Sequence, residues 1–151
     1  MKVRGRAPLL SLVLGLSALL TIGPANAAGS CHKINAKGVG QDVGNGVTQA
    51  QVIGGGLLHG TTAGNFAITG INAGVATIVG TVQFTVNKAT LTVSVAGTFD
   101  TNTGAFSAAG PVASATGELA DATGSMSFNG VESLSGGSFT ENIDGAICLP
   151  A

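Results

Sequence analysis

Thr81-Val82-Gln83-Phe84-Thr85-Val86-Asn87-Lys88-Ala89-Thr90-Leu91-Thr92-Val93-Ser94-Val95 is the stretch that decides the fold. Val82, Phe84 and Val86 alternate with Thr81, Gln83 and Thr85; Leu91, Val93 and Val95 alternate with Thr90, Thr92 and Ser94. Successive side chains on a strand point to opposite faces, so each run has one apolar and one hydroxyl-rich face. β-Branched residues suit such a pleated surface. Asn87 and Lys88 break the alternation where a turn would join the runs, so the stretch predicts a β-hairpin.

Further strands and turns follow on the C-terminal side. Asp100-Thr101-Asn102-Thr103-Gly104, between Phe99 and Phe106, predicts a second hairpin connection, with aspartate opening a type I turn and glycine supplying a positive φ at its end. Its opening also resembles a calcium loop, but that loop needs a glutamate at the twelfth position, where Pro111 stands. Residues 115–124, ATGELADATG, predict a chain reversal around a short non-strand excursion. The Ala-Thr-Gly triplet at Ala115 returns only once, at Ala122, too little for a solenoid. Ser125 to Val131 and Phe139 to Ile147 read as strands, with a reversal at Gly136-Gly137 between them.

On the N-terminal side, Ala76 to Val79 begins the strand that runs on to Val86. Gln49 to His59 and Phe66 to Ile71 read as less regular strands joined near Thr61-Thr62-Ala63-Gly64. Residues 28–47, broken by Gly38, Gly40, Gly44 and Gly46, read as a lead-in. Short strands in series predict an all-β domain over residues 48–151. Closure into a small antiparallel barrel would remove the exposed edges, and glycines inside strands, such as Gly80 and Gly97, would allow the bends.

The start of the chain is an address. Lys2, Arg4 and Arg6 precede an apolar run from Leu9 to Ile22, interrupted only by Ser11, Gly15, Ser17 and Thr21. Pro24-Ala25-Asn26-Ala27 then supplies a helix break and a small-x-small cleavage site. This is the pattern of a signal peptide over residues 1–27, a helix removed on export. The run is shorter than the roughly 20 residues of a membrane span. A lipid anchor on Cys31 is disfavoured, because Ala28-Gly29-Ser30 lacks the large aliphatic residue expected three positions before it. The expected location is therefore secreted or periplasmic. Cys31 and Cys148 are the only cysteines. In an oxidising compartment they predict a disulfide joining the two ends of the mature chain, against two free thiols or an intermolecular bond.

Composition narrows the function. After the leader, Lys33, Lys37 and Lys88 stand against seven carboxylates, a net charge of −4 with no arginine. That excludes a nucleic-acid binder, which needs a dense basic surface. Tryptophan and tyrosine are absent, so a transmembrane barrel would lack its aromatic girdles, and an integral membrane protein is not expected after cleavage. His59, in a Gly-Leu-rich stretch, has no assignable acid–base partner. His32 adjoins Cys31, but a zinc site wants four ligands at recognisable spacing. Glu118 and Asp121 are read as an exposed turn rather than a catalytic pair. No G-x-S-x-G elbow occurs, and Gly54-Gly55-Gly56 leads into no P-loop lysine. No catalytic, cofactor-binding or metal-binding residue is assigned.

The segment Thr90 to Cys148 resembles bacterial exported members of the allene oxide cyclase barrel-like group, relatives of plant dirigent proteins. The resemblance rests on the Leu91–Phe99 run, the turn through Gly104 to Phe106, the ATGELADATG stretch, Phe128-Asn129-Gly130, and the run from Gly137-Ser138-Phe139-Thr140 to Gly145-Ala146-Ile147-Cys148. Ala122-Thr123-Gly124 matches the loop found there, whereas Glu118 and Leu119 replace its usual aromatic and basic residues. The resemblance implies an antiparallel barrel of about eight strands, similar in architecture to lipocalins. None of the plant enzymes' catalytic residues carries over. The expected function is that of an exported, non-catalytic binding or structural barrel. The alternatives are a barrel holding a small hydrophobic ligand, even as an isomerase, and a surface adhesin or fibre subunit. A wide apolar cavity would favour the second, and an open sheet edge the third.

Overall fold

The computed structural model describes residues 29–151, so the expected signal peptide lies outside the described residues. Eight strands follow in order: β1 (Ser30–Gly44), β2 (Val47–Gly54), β3 (Gly60–Asn72), β4 (Val75–Val86), β5 (Ala89–Asp100), β6 (Ala105–Ala115), β7 (Thr123–Glu132) and β8 (Ser138–Leu149). Each pairs antiparallel with its chain neighbours, and β1 pairs with β8 to close the barrel. The expected all-β closed barrel is the fold.

Alternation does the sorting. Val82, Phe84, Leu91, Val93 and Val95 are buried inside, while Thr81, Gln83, Thr85 and Ser94 are exposed outside. Asn87-Lys88 forms the turn between β4 and β5. Asp100 caps the next turn by accepting hydrogen bonds from the backbone N–H groups of Asn102 (2.8 Å) and Thr103 (3.1 Å). The Asn102 bond is the main reason its carboxyl sits below the usual aspartate range.

Two stretches depart from the sequence reading, and a third falls outside it. Residues 28–47 are not a lead-in: they supply β1, which pairs with both β2 and β8 and seals the barrel. Its inward positions include Gly38 and Gly40, so the alternation carries few large apolar signals. Asn45-Gly46 turns the chain into β2, both residues at positive φ (57° and 75°), as a two-residue hairpin requires. Thr61 to Gly64 is not a turn but part of β3; the reversal before it is the short 3₁₀ segment Gly56–Leu58. Finally, β6 runs through Pro111. The pairing of β5 with β6 skips from Val93↔Val112 to Ala96↔Ala109 around it, because proline has no N–H to offer a ladder.

The two ends of the barrel differ. One carries the start of β1, the end of β8, the Asn87-Lys88 turn and the 3₁₀ segments Gly56–Leu58 and Gly117–Leu119. Leu58 and Leu119 from those segments are buried, and plug this end above a core of Ile34, Leu91, Ile143 and Ile147. Cys31 and Cys148 face each other across β1 and β8 here and are joined by a disulfide. The other end carries the four remaining turns and stays open.

Candidate functional site

The open half of the lumen is a cavity of about 240 Å³. Phe128 lies at its floor, with its ring 6.1 Å from that of Phe84 in the packed half. Five of the six phenylalanines line the cavity: Phe66 from β3, Phe99 from β5, Phe106 from β6, Phe128 from β7 and Phe139 from β8. Phe106 and Phe139 meet edge to face at 6.0 Å and 83°, an arrangement the ring quadrupoles favour. Ile68, Ile78 and Val82 complete the apolar side.

Inward glycines make room for these side chains. A Cβ on Gly130 would stand 2.6 Å from the Phe106 ring, and one on Gly40 would collide with Phe139. Position 38 is the clearest case. Gly38 pairs directly with Glu141, and a Cβ there would stand 2.5 Å from Glu141 Oε1. The missing side chain leaves the berth in which the Glu141 carboxylate lies.

Three of the seven carboxylates, Asp42, Glu132 and Glu141, line this cavity, and no cationic residue does. They come from the adjacent strands β1, β7 and β8, so one wall is acidic. Strands β3 to β6 contribute no titratable side chain to it. Burial pushes the Glu141 carboxyl up to about 7. Burial, joined by the nearby Asp42 charge, also raises Glu132. Removing water from a carboxylate without giving it a cation disfavours the charged form.

A pH-dependence follows. Glu141 binds its proton more tightly in the fold than at its ordinary value of 4.5. The resulting stability is full below about pH 4.5 and is lost as pH rises through 7. Glu141→Gln should therefore exceed the wild type by about 2–3 kcal/mol in urea denaturation at pH 8, and the gap should shrink near pH 5. A gap independent of pH would mean that the carboxyl is solvated rather than held in the lumen.

The residues weighed from sequence lie elsewhere. His32 and His59 are exposed towards the plugged end, and Glu118 and Asp121 are exposed around the Gly117–Leu119 segment. Among the described residues no group of three His, Cys, Asp or Glu side chains is placed to hold a metal ion, and no helix is long and apolar enough to cross a membrane. The acidic wall was missed, although strand parity marks it. Glu141 is in phase with Phe139, Ile143 and Ile147, and Glu132 with Met126 and Phe128. An acid at a core-parity position is the signal. No family model, no curated protein and no solved structure matches this chain.

Proposed function

We propose that this protein is an exported, non-catalytic barrel that binds a small, largely apolar molecule in the open half of its lumen. One observation carries the reading: five of the six phenylalanines are gathered around one open cavity, and only Phe84 belongs to the packed half of the core. Convergent apolar walls with a few polar groups are the usual form of a ligand site. The volume is below the roughly 300–1,000 Å³ of drug-sized sites, which suits one ring or a short branched chain. Kinship with the allene oxide cyclase barrel-like group belongs to the same proposal. A barrel is the architecture such kinship requires, though many unrelated families share barrels. Closure weighs against a fibre subunit built by strand donation, because the eight described strands leave no unpaired edge.

Titration with the one-ring, polarity-sensitive fluorophore 4-(dimethylamino)benzonitrile tests this reading, helped by the absence of tryptophan and tyrosine background in the wild type. Wild-type protein should give a saturable enhancement at one site per chain. Ile78→Trp, which fills the cavity from β4, should weaken it at least tenfold while the thermal transition stays cooperative. An enhancement that never saturates, or that the variant leaves unchanged, would refute a lumenal site.

A further inference from the structure

The cavity has two chemically different walls, and together they specify a charge. Five phenylalanines with Ile68, Ile78 and Val82 form the apolar side, and Asp42, Glu132 and Glu141 form the other. The three lysines of the described chain cannot neutralise those acids from where they sit. Lys33 and Lys37 are exposed on the outer face of β1, and Lys88 is exposed in the turn at the plugged end. A carboxylate or phosphate ligand would meet like charge with no compensating donor. A neutral ligand would leave the acidic wall buried without a counter-charge. Only a cation satisfies both walls, since its charge can face the acids while the aromatic rings accept the ammonium periphery.

We propose that the ligand of this cavity is a small organic cation, an ammonium group on a compact aromatic or branched aliphatic body, bound with its charge towards β1, β7 and β8 and its apolar part against β3 to β6. The inference rests on the lumenal binding site proposed above. The net charge of −4 on the chain beyond the leader also favours approach of such a ligand at low ionic strength. Geometry sets a gradient inside the cavity. Glu141 lies deeper than the mouth, between Gly38 on β1 and Gly130 on β7, while the other two acids stand nearer the mouth, Glu132 opposite Phe139 and Asp42 at the end of the β1–β8 ladder. A bound ammonium would favour the ionised form of Glu141 and release its proton.

The test compares one ring carrying three charges. Oxidised protein is titrated at pH 8 with benzyltrimethylammonium, benzyl alcohol and phenylacetate, followed by backbone amide NMR shifts of the cavity strands. The expected order is cation first by at least tenfold, alcohol next and phenylacetate weakest. Cation affinity should fall severalfold as pH is lowered from 8 to 6, because Glu141 takes up its proton. In the Asp42→Asn/Glu132→Gln/Glu141→Gln triple variant the ratio of cation to alcohol affinity should drop towards one. Equal binding of cation and alcohol, or tighter binding of phenylacetate, would overturn the charge assignment and leave the apolar site standing. If none of the three shifts the cavity amides, the lumenal site itself falls, and this inference with it.

Discussion

Phe84→Ala is expected to cost about 3–5 kcal/mol, the range for truncating a large aromatic in a packed core. Phe84 has no exposed surface. It pairs across the hairpin with Leu91 and across the other ladder with Thr62, and its ring supports Phe128 from below. The loss has two parts, the transfer free energy of the removed ring and the void it leaves. The void matters more here than in a closed core, because Phe128, against whose ring Phe84 packs, and Thr62, its cross-strand partner, both line the open cavity. Against a total stability of about 5–15 kcal/mol for a domain of this kind, the variant should be marginal at 37 °C. Urea denaturation will show a lower midpoint at unchanged slope if the loss is confined to the folded core. A cost below about 1 kcal/mol would mean that neighbouring side chains collapse into the space. A ligand reaching deeper into the variant would appear as binding of a longer alkyl chain than the wild type accepts.

How far the barrel could be read beforehand depended on where the Cβ atoms are. The 81–100 hairpin was legible because every inward position from Val82 to Val95, turn apart, carries an apolar side chain. β1 was not, because Gly38 and Gly40 occupy inward positions and Asp42 follows in the same phase. A glycine at a core position removes the periodic signal while serving the core, for the space it leaves is taken by Glu141 and Phe139. β6 was hidden in the same way by Gly110 and Pro111, the second of which argues against a strand by ordinary rules yet sits at a gap in the ladder. The site suffered from a related difficulty. Histidines and close acidic pairs draw attention in a sequence, and His59, Glu118 and Asp121 are all solvated. The lumenal acids come from positions 42, 132 and 141 and meet only when β8 closes against β1, so no local spacing announces them. The disulfide was legible for the opposite reason: two cysteines in the whole sequence leave one intramolecular pairing.

Replacing both cysteines by serine should lower stability by about 2–4 kcal/mol, and the melting temperature by about 10 °C. The cross-link joins residues 117 apart in sequence, and a loop of that length gives roughly 5 kcal/mol from unfolded-chain entropy alone. The folded side of the balance explains why less than the whole is expected. Cys31 and Cys148 form one rung of a continuous ladder from Ser30↔Leu149 to Gln41↔Ser138, so the seam between first and last strands retains its backbone hydrogen bonds when the sulfurs are gone. The barrel should thus remain closed and cooperative, with fraying confined to the first rungs near the plugged end. The ligand cavity lies at the other end, beyond the plane of Phe84 and Phe128. Fluorophore affinity should therefore be the same with and without reductant at temperatures well below the transition, while the transition itself moves. Equal melting temperatures in both states would show that the unfolded chain gains no freedom from reduction. A loss of binding at 20 °C on reduction would show that the seam, and not the packed half of the core, holds the open end in shape.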